Sequence, residues 1–213
     1  ASTVYSSQMD TDKKIILEPI TIYSRGERAI GGITPLMIST NCDYVEVYFK
    51  DIMIAKEYPA TNKYPGLKHP PIIINIEQNI PGVSSMNWED LKVIGYINGK
   101  AEIERKYLKN PTFKELEITA DDKEINSINE GTAWDSTRIT IKAVDSCGNR
   151  LPYINEAINI EVKGAGELIG NDNPVLEGGY YSFWVKTNTK KGIIKITVSN
   201  KRVESKSIEI KVK

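Results

Sequence analysis

The sequence has few of the residues that most often carry chemistry. It holds 2 cysteines, Cys42 and Cys147, in 213 residues, too few for the disulfide framework of a small secreted domain. They fall in different halves of the chain and read as isolated thiols. The 1 histidine, His69, lies in Lys68-His69-Pro70-Pro71, and nothing in the sequence brings it beside either thiol as an activating base. No Cys/His spacing suits zinc. Asn171-Asp172-Asn173 offers oxygen atoms but not the longer ligand series of a calcium loop, so it reads as a turn before Pro174. Gly31-Gly32 and Gly178-Gly179 have no helix after them and read as turns or bulges rather than phosphate loops. No metal and no cofactor is expected.

An excess of charge of one sign is missing too. The 28 Lys/Arg balance 28 Asp/Glu, and the balance holds in each half of the chain. Without a basic stripe, nucleic acid is not expected as a partner. Without a polybasic cluster, neither is an anionic membrane surface. The longest apolar runs, such as Pro71-Ile72-Ile73-Ile74-Asn75-Ile76, are strand-sized and far short of a bilayer span. The start, Ala1-Ser2-Thr3-Val4-Tyr5, lacks the regions of a signal peptide and reads as a cut end within a longer protein. Residues 1–13 are expected to form an extended lead-in. The cysteine count leaves a cytoplasmic and a secreted setting both open.

What is present is strand grammar. A 40% hydrophobic and 26% charged composition suits a folded globular chain. Apolar and polar residues alternate with period two, the mark of half-buried strands. Val45, Val47 and Phe49 alternate with Tyr44, Glu46 and Tyr48, and Ile52–Ala55 is expected to pair with them across Lys50-Asp51. Leu91, Val93 and Gly95 lead to Asn98-Gly99, a two-residue hairpin signal. Asn110-Pro111-Thr112 interrupts the pattern and is taken as a domain boundary. The grammar then repeats through Leu116–Ala120, Ile139–Ala143, Ile158–Val162, Tyr181–Val185, Ile194–Val198 and Ile208–Val212. The expectation is an all-β chain of two consecutive antiparallel immunoglobulin-like β-sandwich domains, at 14–111 and 112–213.

Two groups of motifs add a resemblance. The first comprises Asn41-Cys42-Asp43 leading into a strand, the proline-rich Tyr64-Pro65-Gly66-Leu67-Lys68-His69-Pro70-Pro71, and the hairpin Gly95-Tyr96-Ile97-Asn98-Gly99-Lys100. It resembles the domain that follows the catalytic barrel in family 2 glycoside hydrolases, the β-galactosidase-like enzymes. The second comprises Leu116–Asp122, Thr137–Asp145, Gly148-Asn149-Arg150-Leu151-Pro152 and Gly164–Gly170. It resembles the terminal immunoglobulin-like domain of the same enzymes, and also bacterial adhesin repeats. The resemblance implies a bacterial parent that hydrolyses β-galactosides or related glycosides with two carboxylates on its barrel. A barrel of that kind takes about 250 residues of alternating strands and helices, and this sequence shows no such pattern. No catalytic residue is therefore assigned. Adjacent acids such as Glu89-Asp90 and Asp121-Asp122 point apart on an extended chain and read as solvated turns.

The aromatic residues are the candidates for contact. If Tyr181, Phe183 and Val185 face a core, alternation turns Ser182, Trp184 and Lys186 outward. Trp184 then covers the sheet, docks on a neighbouring domain, or stacks on a sugar. Trp134 lies in a loop and is open to the same readings. Trp88 precedes an apolar strand and reads as a core or edge cover. Tyr64 and His69 lie in a proline-stiffened loop, which loses little entropy on docking. Their expected partner is the catalytic barrel of the parent chain. The leading expectation is a non-catalytic region supporting that barrel. The alternatives are a carbohydrate-binding module and a cell-surface spacer.

Overall fold

The structure is a computed structural model and describes residues 2–20, 23, 35–79, 89–127 and 134–213. Gly31-Gly32 and Trp88 lie outside the described residues. The chain divides into two compact units, Ala1–Pro111 and Thr112–Lys213. Both are β-sandwiches made of antiparallel sheets, with one short parallel pairing in the second.

In unit 1 a short helix, α1 (Ser2–Ser6), precedes β1 (Leu17–Pro19), β2 (Leu36–Thr40), β3 (Tyr44–Phe49), β4 (Ile52–Glu57) and β5 (Ile72–Ile74). A helical turn, α2 (Ile76–Asn79), then leads on to β6 (Leu91–Ile97) and β7 (Lys100–Tyr107). One sheet has the order β1-β2-β5 and the other β4-β3-β6-β7. Leu17, Leu36, Ile38, Ile72 and Ile74 pack with Val45, Val47, Leu91 and Val93 in one core. The strict alternation of burial along β3 follows from the two-residue side-chain period of a strand with one face on that core. The β6–β7 turn takes positive φ at both Asn98 and Gly99, the backbone that matches strand twist in a two-residue hairpin. Where an extended lead-in was expected, Ser2–Ser6 coils into a helical turn. The Ser7 N–H donates to Thr3 O at 2.9 Å and its hydroxyl donates to Val4 O at 2.8 Å.

Unit 2 runs through β8 (Glu115–Ala120), β9 (Glu124–Ile125), β10 (Ser136–Val144), β11 (Asn159–Gly164), β12 (Gly166–Ile169), β13 (Tyr180–Thr187), β14 (Gly192–Ser199) and β15 (Lys206–Val212). Its sheets have the orders β12-β13-β10-β8 and β11-β14-β15-β9. β9 pairs with β15 in parallel, so the chain that begins in β8 crosses to the opposite sheet. Leu116, Ile139, Ile141, Phe183 and Val185 pack in one core with Ile160, Ile194, Ile196, Val198 and Ile210. Among the described residues, no helix is long and apolar enough to cross a membrane.

Candidate functional site

The outer face of β12-β13-β10-β8 is built by alternation along β13. Phe183 and Val185 are buried, while Trp184 between them is 48% exposed. Strand register places Trp184 opposite Arg138 on β10 and opposite Ile169 on β12. Arg138 forms an ion pair with Asp121 at 3.0 Å. In the next row Thr140 lies opposite Ser182, with their hydroxyls 3.2 Å apart. Ser182 Oγ donates to Tyr180 Oη at 2.8 Å. That bond, the Thr140 hydroxyl and the nearby cations of Arg138 and Lys142 hold the Tyr180 phenol below its usual pKa. Lys142 pairs with Glu117 at 2.8 Å and Lys186 with Glu167 at 3.3 Å. The result is a tryptophan beside a chain of hydroxyl groups, on a face whose charges are matched.

Trp134, 51% exposed, stands two residues before β10. Its neighbour is fixed: the Asp135 N–H donates to Thr187 Oγ1 at 3.2 Å and the Thr187 N–H donates back to Asp135 O at 2.8 Å. The Asp135 carboxylate also accepts the backbone N–H of Asn126 at 2.9 Å and of Ser136 at 2.8 Å.

Tyr64 and His69 belong to unit 1, in the loop between β4 and β5. The loop closes on itself: the Ala60 N–H donates to Pro71 O at 3.0 Å and the Tyr64 N–H to Ala60 O at 3.1 Å. The end carrying His69 rests on the lead-in segment. The Gln8 side-chain amide accepts the His69 N–H at 3.0 Å and donates to His69 O at 2.7 Å, while Lys68 pairs with Asp10. Among the described residues, His69 Nε2 is buried without a hydrogen-bond partner. Tyr64 is half-buried, with the Lys63 ammonium 5.6 Å from its ring centre.

Two features of unit 1 were not read from the sequence. The first is the work of Asn41-Cys42-Asp43. Asn41 is 2% exposed. Its side-chain oxygen accepts the Ile16 N–H at 2.8 Å, and its amide donates to Met9 O at 3.1 Å and Lys14 O at 2.8 Å. One side chain thus satisfies three main-chain groups of the lead-in. Thr40 Oγ1 adds a bond to Ile16 O at 2.7 Å. Cys42 is buried against Gly95, where an added Cβ would lie 2.6 Å from Cys42 Sγ. Burial raises the pKa of this thiol, which leaves it a packing group rather than a nucleophile. Asp43 accepts the Asn98 N–H at 2.6 Å and so fixes the hairpin turn. Conformational capture of a backbone by Asn and Asp side chains is a local signal, but the partners of Asn41 are distant in sequence.

The second is a tyrosine cluster on the outer face of β4-β3-β6-β7. Tyr44 stacks on Tyr96 with ring centres 4.7 Å apart and planes within 8°. Tyr58 leans on Tyr44 at 5.4 Å, and the Lys56 ammonium lies 4.3 Å from the Tyr44 ring centre. Glu46 Oε2 accepts the hydroxyls of Tyr96 at 2.7 Å and Tyr48 at 2.9 Å. These bonds hold the Glu46 carboxyl below its ordinary pKa and push the Tyr96 phenol up to about 12. The Lys92 ammonium lies 4.6 Å from the Tyr48 ring centre.

A groove of about 280 Å³ in unit 2 is lined by Glu115, Leu116, Glu117, Ile118, Lys206 and Ile208 among others. Two glutamates on one strand face invite comparison with a glycosidase pair. Here Glu115 bonds to Lys206 at 2.6 Å and Glu117 to Lys142 at 2.8 Å, and both glutamate side chains are more than a third exposed. Each carboxylate is thus matched to a lysine on a neighbouring strand. In the Asn171-Asp172-Asn173 turn the Asn173 N–H donates to Asn171 Oδ1 at 3.0 Å. Among the described residues no group of three or more His, Cys, Asp or Glu could hold a metal ion.

Residues 116–209 match the family described as glycoside hydrolase family 2 C-terminal domain 5. The chain is similar to a β-galactosidase of Thermoanaerobacterium thermosulfurigenes, 43% identical over 183 residues that make up 84% of this chain and 25% of that protein. It is also similar to a β-galactosidase of Rhizobium meliloti, 35% identical over 182 residues, 84% of this chain and 23% of that protein. Its fold is similar to that of a β-glycosidase from Bacteroides vulgatus, with a TM-score of 0.68, 16% identity, and coverage of 98% of this chain and 26% of that one. The chain spans about a quarter of the length of these β-galactosidases and of a third, from Thermoanaerobacter pseudethanolicus.

Proposed function

The chain is a C-terminal part of a glycoside hydrolase family 2 protein, and from that premise we propose that it is a non-catalytic accessory region that docks on and supports the catalytic domain of the same polypeptide. The observation that carries this reading is the clamp on the lead-in. Asn41 binds Met9, Lys14 and Ile16, and Gln8 binds both backbone groups of His69. Each bond meets a main-chain group that would otherwise lose its water on burial, at a net worth of about 1 kcal/mol apiece. Residues 8–16 and the loop end at His69 therefore move as one body with the sandwich. A segment held so firmly delivers whatever is joined to it in a fixed pose.

In this reading Tyr64 and the Lys68–Pro71 stretch meet the catalytic domain, and Trp134 is a further contact. The tyrosine cluster around Glu46 offers a rigid surface, because its hydroxyls and ring faces are held before any partner arrives. The paired glutamates of the groove agree with a chain that leaves bond cleavage to the rest of the protein. The purified 213-residue chain is expected to give no turnover of a nitrophenyl β-galactoside. Hydrolysis that co-purifies with the chain and vanishes in Glu117→Gln would overturn the proposal.

A further inference from the structure

The outer face of β12-β13-β10-β8 in unit 2 has a composition that docking alone does not require. Its ionic groups pair within the face: Arg138 with Asp121, Lys142 with Glu117 and Lys186 with Glu167. An ionic partner would have to break those pairs, so the face is matched to an uncharged one. Between the pairs run Thr140, Ser182 and Tyr180, joined hydroxyl to hydroxyl at 3.2 and 2.8 Å. Beside them Trp184 is 48% exposed and Ile169 is 37% exposed. A pyranose presents an apolar C–H face and a rim of hydroxyls. The first needs an uncovered aromatic face, and the second needs fixed donors and acceptors in the plane beside it.

The tyrosine cluster of unit 1 fails this requirement. Tyr44 has Tyr96 on one side and is approached by Lys56 and Tyr58, and Tyr48 is approached by Lys92. Trp184 has no ring or cation contact of this kind among the described residues. Its register neighbours on the sheet are the aliphatic Ile169 and Arg138, which is already paired with Asp121.

We propose that this face binds a neutral glycan, with one pyranose stacked on Trp184 and its hydroxyls meeting Arg138, Asp121 and the Thr140-Ser182-Tyr180 chain. The site lies wholly within unit 2 and does not depend on unit 1 docking to a catalytic domain. Its ligand class is an uncharged polysaccharide or oligosaccharide, bound without cleavage.

The test is calorimetric titration of the 213-residue chain with oligosaccharides of β-linked galactan and β-linked glucan, and with a polygalacturonate fragment as the charged control. Saturable binding of at least one neutral glycan is expected, with none to the charged one. Trp184→Ala should weaken it about ten-fold or more, Tyr180→Phe about two- to five-fold, and Trp134→Ala less than about two-fold, as for one central anchor with weaker surroundings. Trp184→Phe, which keeps a ring, should retain part of the affinity and shows that loss in the alanine variant is not misfolding. No saturable heat with any neutral glycan overturns the proposal. So does binding that survives Trp184→Ala, or binding confined to the charged control.

Discussion

In unit 1 the outward tyrosines of β3 and β6 stack on one another and bond a common carboxylate through Tyr96 and Tyr48, whereas in unit 2 the outward tryptophan of β13 stands beside hydroxyls with no ring or cation stacked on it among the described residues. Both are aromatic residues on the solvent side of a four-stranded sheet. The difference lies in whether neighbours have already met their needs. Tyr44 and Tyr96 gain from each other what a ligand would offer, and Glu46 gains two hydroxyl donors. Such a surface is rigid and closed. Trp184 keeps its capacity for contact, at the cost of apolar area left in water.

The sharpest way to break this comparison is to loosen unit 1 beneath its closed surface. Asn41→Ala removes the partner of three main-chain groups, the Ile16 N–H among them fully buried, and unit 1 is expected to lose up to about 3 kcal/mol at about 1 kcal/mol per bond. Denaturant unfolding should show its transition move while that of unit 2 stays. Gly95→Ala comes next. The new Cβ meets Cys42 Sγ at 2.6 Å and Ile103 Cγ2 at 2.9 Å, an overpacking worth about 1–3 kcal/mol. Adding Cys42→Ala should restore part of the loss, and full additivity in that double-mutant cycle would show that the two side chains do not compete for space.

Smaller effects separate the two faces. Tyr44→Ala removes a stacked pair and should cost unit 1 about 1 kcal/mol. Trp184→Ala should change the stability of unit 2 by less than about 0.5 kcal/mol, as for a surface position. A larger loss at Trp184 than at Tyr44 would reverse the comparison. Glu46→Gln should bring the Tyr96 titration down from about 12 toward its ordinary 10.0, read from tyrosinate absorbance. The sign follows from linkage: a phenol whose folded pKa is raised favours folding below pH 10 and loses that contribution as pH climbs through about 12. The Glu46 carboxyl, held low, contributes above its unfolded pKa, and its contribution fades as pH falls through the lower folded value. Lys142→Ala should cost no more than about 0.5 kcal/mol, and less in high salt, because both partners of that pair are open to water.

Much of the architecture was legible because strand burial has a period of two. The alternation in Tyr44–Phe49 and the outward direction of Trp184 follow from it, the Asn98-Gly99 turn follows from residues that accept positive φ, and all are present. The surfaces were less legible. Tyr44 and Tyr96 become neighbours only through the pairing of β3 with β6, a register that local alternation leaves open. The same holds for Arg138 and Trp184, and for Thr140 and Ser182. Asn41-Cys42-Asp43 stood out as a motif, but the reach of Asn41 to Met9 and Lys14 depends on how the lead-in folds back. The helical turn at Ser2–Ser6 was missed because 5 residues give no measurable helical period.

The Asn41 side chain also acts as a ruler. Its amide touches the carbonyls of Met9 and Lys14 while its oxygen holds the Ile16 N–H, so it counts the residues between them. An insertion or deletion inside that stretch moves one carbonyl out of reach and exposes the error as a buried polar group without a partner. Length in the 10–13 turn is therefore fixed by a side chain nearly thirty positions downstream, at separations of 25, 27 and 32 residues. Apart from Asp10, which is paired with Lys68, that turn is constrained in number more than in identity.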